Sequence, residues 1–292
     1  MDPNAQPNNT SKAAPPGVEE ALPPWTMPET EAWWLLTSLS GPGANDVPPG
    51  NFDPLEELSS QEAKGGNFVG GTGMVQIVRY KDSPAGPYDE LIMCPGYFKN
   101  PKGPDSLRIT RIYVSTLKSV WNGRRNWNIP KHLARFSFTP STSIKGATEV
   151  RIYTPNTISY DAAAGQDTTT WNETPFFAAL LQPSRLPIPA IPFNLKYSPL
   201  RLTLIQPPLE SSESVETDGL AGTDKWCSIL PGFVGSIKSV SVTPLLDMPP
   251  AEASKRPKRF ANGVEFPDFA PYSIGIHWPS ATLTFHNPTW FE

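Results

Sequence analysis

Prolines interrupt this chain so often, 36 in 292 residues, that a fold built mainly of helices is excluded at the outset. Each proline removes a backbone donor and fixes φ, which breaks a helix interior but suits strand edges and loops. Between the prolines, apolar residues fall into short runs. Residues 74–80 alternate, 90–98 are apolar and aromatic, and 109–120 carry β-branched residues at most positions. Further strands are expected at 136–139, 149–153, 200–205, 226–230, 235–245, 273–278 and 281–286. So many short strands between Pro and Gly predict a mainly β domain, a barrel or two-sheet structure with a few short helices. One helix is expected at 28–40, where Glu29 and Glu31 precede Trp33-Trp34-Leu35-Leu36 and Gly41-Pro42-Gly43 closes the segment. A second helical turn is expected at 54–60.

Composition assigns the flanks and excludes several classes. Residues 1–27 are expected to be disordered or loosely docked, and 28–292 to form a single domain. The glycine-rich run 65–73 lacks a trailing Gly-Lys-Ser/Thr and reads as a loop entering a strand, not a phosphate cradle. Loops are expected at 161–170, 207–225 and 249–267. The last carries Lys255-Arg256-Pro257-Lys258-Arg259, a pattern also found in nuclear-localisation and nucleic-acid patches. A net charge of −4 provides no field for nucleic acid, so a solvated loop face is the simpler reading. No run approaches 18 apolar residues and no signal-like segment opens the chain, so a cytoplasmic protein is expected, with no membrane and no nucleic-acid partner. Cys94 and Cys227 read as buried free thiols, and the Asn8 and Asn172 sequons as unused.

The segment with most chemistry is Gly123-Arg124-Arg125-Asn126-Trp127-Asn128-Ile129-Pro130-Lys131-His132-Leu133. Pro130 biases Ile129 toward extended geometry, so Lys131 leaves a stiff, strand-like bend. Most lysines at strand starts are solvated cations, but Trp127, Ile129, Pro130 and Leu133 argue against full exposure here. Desolvation and neighbouring cations both disfavour the ammonium form, and imine chemistry requires the free amine. Glu90, between Asp89 and Leu91-Ile92-Met93, reads either as a buried general acid or as an exposed turn acid after Pro87. Arg124 and Arg125 could grip a carboxylate or serve as structural cations. Three histidines without His-x-His or Cys-x-x-Cys spacing give no metal site, and no Gly-x-Ser-x-Gly elbow is present.

Taken together, Gly123-Arg124, Pro130-Lys131 and Leu133-Ala134 resemble the active-site segment of the acetoacetate decarboxylase family. Pro87-Tyr88-Asp89-Glu90-Leu91 is similar to the family's Tyr-x-Glu segment, and Arg111-Ile112-Tyr113-Val114-Ser115 to the strand before its lysine. The resemblance extends over residues 73–138. It implies a closed, cone-shaped β structure enclosing a pocket, assembled as a homo-oligomer, with no metal or organic cofactor. It also implies that Lys131 forms a Schiff base with a small-molecule β-keto acid and that Glu90 acts as the acid. Arg124 follows the family pattern and would orient the substrate carboxylate. Two positions depart from it: His132 stands where the family has a second lysine, and Gln76 where it has an upstream glutamate. Both are expected to contact substrate, His132 unless strand alternation turns it away. The expected activity is therefore a Schiff-base lyase on a keto acid larger than acetoacetate. Aldol or dehydration chemistry through the same imine, or a non-catalytic ligand-binding barrel, are the alternatives.

Overall fold

The computed structural model describes residues 14–40, 47, 49–56, 68–161, 166–184, 189–198, 202–249, 253 and 256–292. Its centre is one mixed sheet of sixteen strands among these residues. The first half supplies β1 (Trp25–Ser40), β2 (Phe68–Tyr80), β3 (Tyr88–Cys94), β4 (Tyr97–Asn100), β5 (Gly103–Leu107) and β6 (Arg111–Val114). Helix α1 (Leu117–Trp127) follows, then β7 (Lys131–Leu133), β8 (Arg135–Pro140) and β9 (Thr148–Tyr153). The second half adds β10 (Phe177–Pro183), β11 (Ile191–Asn194), β12 (Leu204–Gln206), helix α2 (Val215–Asp218), β13 (Trp226–Ile229), β14 (Gly232–Pro244), β15 (Ile274–Phe285) and β16 (Thr289–Phe291). The pairing path runs β16-β13-β12-β5-β4-β2-β1-β15-β14-β10-β9-β8; β3, β6 and β7 continue from β2, and β11 pairs β14. Its two ends, β16 and β8, are not paired with each other among the described residues.

The sheet separates two apolar cores because side chains alternate across it. Ala32, Trp34, Met74, Val78, Ile92, Ile112 and Val114 pack on one side. Trp33, Leu35, Val75, Ile77, Leu91, Met93 and Tyr113 pack on the other. This double burial corrects the expected helix at 28–40, which is β1, a central strand paired to β2 and β15. A strand covered on both faces carries apolar residues without a break, which imitates a buried helix in sequence. Residues 54–56 of the second expected turn are a turn, and 57–60 lie outside the described residues. The glycine-rich run enters β2 at Phe68, and its first residues lie outside the described set.

The expected strand at 109–120 is also corrected: it stops at Val114, and α1 begins at Leu117. Thr116 caps the helix by accepting from the Ser119 N–H at 3.3 Å. Asn128 ends it in the left-handed region, at φ 52°. The fully buried Asn128 side chain also donates to the Pro207 and Lys225 carbonyls at 2.9 and 2.6 Å, joining the helix end to the 207–225 loop. After this turn β7 runs parallel to β6, so β6, α1 and β7 form one crossover unit.

Part of the N-terminal flank is ordered against that unit. Asn122 donates to the Glu19 carbonyl and accepts from the Ala21 N–H, at 2.9 and 2.8 Å. No helix among the described residues is long and apolar enough to cross a membrane.

The double role of Asn128 gives the first prediction. Asn128→Gly keeps the left-handed turn and loses the side-chain hydrogen bonds, at a cost of about 1–3 kcal/mol. Asn128→Ala loses the turn preference as well, at about 1 kcal/mol more. Urea unfolding of the two variants should rank them in that order.

Candidate active site

Cross-strand register builds the site. One rung runs Trp34, Gln76, Ile92, Ile112, Lys131 across β1, β2, β3, β6 and β7. The neighbouring same-face rung carries Ala32, Val78, Glu90, Val114 and Leu133. Lys131 and Glu90 therefore project from the same face of the sheet, and their side chains meet. Lys131 Nζ lies 2.5 Å from Glu90 Oε1, with the two side chains only 4% and 3% exposed. Ser119 Oγ accepts from Nζ at 3.0 Å, and the Tyr80 hydroxyl donates to Glu90 Oε2 at 2.8 Å. The Tyr88 ring lies 5.1 Å from Nζ. Burial, then the Glu90 charge, pushes Tyr80 and Tyr88 well above the usual phenol range, so both remain neutral.

Helix α1 is shaped around the lysine stem. Ser119 and Gly123 are four residues apart and share one helix face. A Cβ at Gly123 would lie 2.5 Å from Lys131 Cδ and 2.7 Å from Cε, so only glycine leaves room for the chain to pass. Ser119 and Tyr80 are not among the residues the sequence singles out, whereas Tyr88 belongs to the segment similar to the family's Tyr-x-Glu. Their signals were present: Tyr80 continues the Gln76 face of β2 at period two, and Ser119 stands four before the glycine that precedes Arg124.

Strand alternation turns His132 to the opposite face. Its Nε2 lies 3.2 Å from Glu56 Oε2 and its Nδ1 3.8 Å from Asp53 Oδ2. Arg124 joins this second cluster instead of the lysine. Fully buried, it donates to Glu56 Oε1 at 2.6 Å, to the Ala221 carbonyl at 2.9 Å and to the Glu210 carbonyl at 2.8 Å. Asp53, Glu56 and His132 have ligand atoms within 4.8 Å of one another, a set that could attract a cation. Arg124 already holds Glu56, and Arg111 holds Asp53 at 3.2 Å, so guanidinium groups fill the role of the ion. Burial raises the Glu56 carboxyl, but Arg124 and His132 overcome this and hold it down at about 2. Arg125 pairs with Glu20 at 2.6 Å and lies on the Trp121 ring.

Gln76 lines an apolar cavity on the lysine side of the sheet, together with Trp34, Met74, Tyr80, Ile92 and Phe285. Its amide donates to the weakly accepting Met74 sulfur at 3.0 Å. Tyr80 belongs both to this cavity and to the hydrogen bond on Glu90. Across β2 and β3, Gln76 is diagonal to Glu90, a relation that sets Cβ atoms about 7 Å apart. The structure thus groups Lys131, Glu90, Tyr80 and Ser119, sets Gln76 beside them, and gathers His132 and Arg124 elsewhere.

The second cluster predicts acid behaviour. Glu56 titrates lower folded than unfolded, so its contribution is complete above about pH 4.5 and is lost as pH falls through about 2. Roughly 3 kcal/mol is at stake over that window. Glu56→Gln should remove this segment of the stability–pH curve. At neutral pH it should cost about 3–5 kcal/mol, because Arg124 is left buried without its counter-charge. Urea midpoints measured from pH 7 to pH 2.5 test both statements.

No protein-family model matches the chain. A curated rice protein, NEOXANTHIN-DEFICIENT 1 of Oryza sativa subsp. japonica, is 31% identical over 142 residues, a match covering 46% of this chain and 43% of that protein. The chain therefore matches less than half the length of this relative. Solved structures agree over almost the whole chain. An acetoacetate decarboxylase-like enzyme from Sphingomonas wittichii RW1 matches with a TM-score of 0.51 and 12% identity, over 94% of each chain. Acetoacetate decarboxylase from Legionella pneumophila matches at 0.50 and 12%, over 98% of this chain and 94% of its own. The enduracididine biosynthesis enzyme MppR, complexed with the condensation product of pyruvate and imidazole 4-carboxaldehyde, matches at 0.50 and 13%, over 96% and 98%. The chain has the acetoacetate decarboxylase-like fold.

Proposed function

We propose that this protein is a Schiff-base-forming carbon–carbon lyase that decarboxylates a β-keto acid through Lys131. The observation that carries the reading is the buried contact of Lys131 Nζ with Glu90 Oε1 at 2.5 Å. Transfer of the ammonium proton along this contact leaves a free amine beside a carboxylic acid, the pair that imine formation consumes. The amine attacks the keto carbon, and the resulting carbinolamine loses water, its leaving oxygen taking a proton from Glu90. The bond to the carboxylate then breaks, its electrons flow into the protonated imine, and CO₂ leaves an enamine. A proton delivered through Glu90 converts the enamine carbon to a methyl or methylene group. Water hydrolyses the imine, freeing the ketone and restoring the lysine. Overall, one keto-acid anion and one proton give one ketone and one CO₂.

The remaining residues support these steps. Ser119 and Tyr80 hold the amine and carboxylate in line, and Gly123 leaves the lysine stem its path. Gln76, whose amide donates among the described residues to a sulfur, supplies a donor or acceptor for substrate oxygen. Arg124 is committed to Glu56 and two carbonyls, so it is assigned no substrate. The substrate carboxylate instead enters an apolar, water-poor site, where loss of its localised charge as CO₂ is favoured. His132 belongs to the framework that holds α1.

A second reading keeps the cavity and leaves the lysine as structure, making the protein a binder of an apolar small molecule. It is favoured by the partial match to a relative whose name refers to neoxanthin deficiency and not to a decarboxylase.

Borohydride trapping decides between the two. Intact-mass spectrometry after incubation with a panel of β-keto acids and borohydride should reveal a reduced adduct, mapped by peptide analysis to Lys131. Lys131→Ala should abolish it, and Gly123→Ala should cut the trapping rate at least tenfold by displacing the lysine stem. CO₂ release from the same panel marks decarboxylation, whereas an adduct without CO₂ marks condensation chemistry. No adduct across the panel would leave the binding protein as the function.

A further inference from the structure

The cavity beside Tyr80 has an apolar composition and a neighbouring surface groove, of which the mechanism uses only Gln76. Among its described lining residues none is charged, and Trp34, Ile92, Leu204, Phe233, Leu283 and Phe285 are among the large apolar side chains of its wall. It holds about 60 Å³ of space for water-sized groups. At 10–15 Å³ per group that is room for about four to six of them, or a comparable number of methylenes. Leu195, Leu202 and Pro231 line this cavity and also line a surface groove of about 650 Å³. The three shared side chains make the cavity and the groove neighbours across a single apolar wall. At the other limit, Tyr80 carries the hydrogen bond to the carboxylate that holds Lys131.

We propose that the substrate is a medium- or long-chain 3-oxo acid whose alkyl chain leaves Lys131 past Tyr80, fills the apolar cavity and emerges into the groove at Leu202. This chain site rests on the imine reading only for what happens at its inner end; binding of the chain is a separate property. An uncharged wall accepts methylenes and rejects a second charge, so the far end of the chain is apolar until it reaches the groove. Lys102, Lys196 and His286 line the groove, where polar atoms meet water again. Cavity length sets a threshold. Each methylene buried should tighten binding about three- to fourfold until the cavity is full, and later ones should add little. Leu202, half-buried at the shared wall, is the specificity-determining residue for chain length.

The probes are methyl ketones from 2-butanone to 2-undecanone, which are the decarboxylation products of this class. Their dissociation constants are measured by calorimetry on the wild type, Lys131→Met and Leu202→Trp, each first checked for native circular dichroism. Expected are a rise of at least 50-fold from 2-butanone to 2-octanone in wild type and Lys131→Met, and a plateau beyond. Leu202→Trp should erase at least tenfold of that gain for 2-octanone and 2-undecanone while leaving 2-butanone unchanged. Affinity independent of chain length in wild type overturns the proposal, as does a Leu202→Trp variant with the wild-type length profile. Length-dependent binding in Lys131→Met with no borohydride adduct in wild type upholds the chain site and removes the imine. An adduct on Lys131 formed equally well from 2-butanone and 2-octanone, without length-dependent binding, does the reverse.

Discussion

The contact between the Lys131 and Glu90 side chains, both almost free of solvent, governs how this part of the molecule is built. Removing two charges from water costs several kcal/mol each, and their mutual attraction recovers that only when the remaining donors and acceptors are satisfied. The surroundings supply what is needed. Ser119 accepts from the amine, Tyr80 donates to the far carboxylate oxygen, and the Tyr88 ring lies against the ammonium. Well-packed apolar side chains of similar volume would serve stability as well or better. A fold that retains the charged pair, and a glycine in mid-helix to let the lysine through, is arranged around the amine itself.

Strands β6 and β7 carry Arg111 and His132 of a second ionic cluster on the other face of the sheet, and helix α1 connects the two clusters. Its Ser119 and Gly123 touch the lysine, while its Arg124 reaches Glu56 and the carbonyls of Glu210 and Ala221. Two residues adjacent in sequence, Lys131 and His132, belong to different clusters because β7 is a strand. The Arg124 cluster ties the 53–56 turn and the 207–225 loop to the helix, and so fixes the helix position against β7. The lysine is held at one end of this arrangement without sharing its charge with it.

How much of this was legible follows from where alternation survives. Strands with one covered face, such as 235–245, which overlaps β14, and 149–153 within β9, read correctly because their polar and apolar residues alternate. β1 and β10 did not, because each is covered on both sides. Trp33-Trp34-Leu35 carries no period-two signal, and Phe177 to Leu181 is buried at every position. Helix α1 was hidden by the β-branched residues of β6 running up to it. Yet Leu117, Val120, Trp121, Arg124 and Trp127 follow helical spacing, and Thr116 is a capping residue. Of the residues in the buried Lys131–Glu90 group, these two were singled out in the sequence by the apolar residues around each and by the resemblance. Tyr80 and Ser119 were not, since both join the pair only through register and helix phase. The reach of Arg124 was equally invisible, because Glu56 lies 68 positions away in a turn with no distinguishing pattern.

Cavity and charge pair together define the chemistry available. An ammonium–carboxylate pair is neutral overall, and the cavity beside it carries no charge among its described lining residues. A keto acid entering such a site would give up the hydration of its carboxylate, and in the proposed reaction the lysine nitrogen supplies the positive charge. In the proposed reaction, the imine puts one cation and one anion on the same ligand, separated by the bond that breaks. Decarboxylation discharges both at once: the electrons of the carboxylate neutralise the iminium, and CO₂ leaves as an uncharged molecule. In water both charges would be solvated and little would be gained by their loss, whereas in an apolar enclosure their disappearance lowers the energy of everything around them. A guanidinium free to bind the carboxylate would oppose this by stabilising the ground state more than the transition state. Arg124, held to Glu56 on the other side of the sheet, is not such a brake in the proposed reaction.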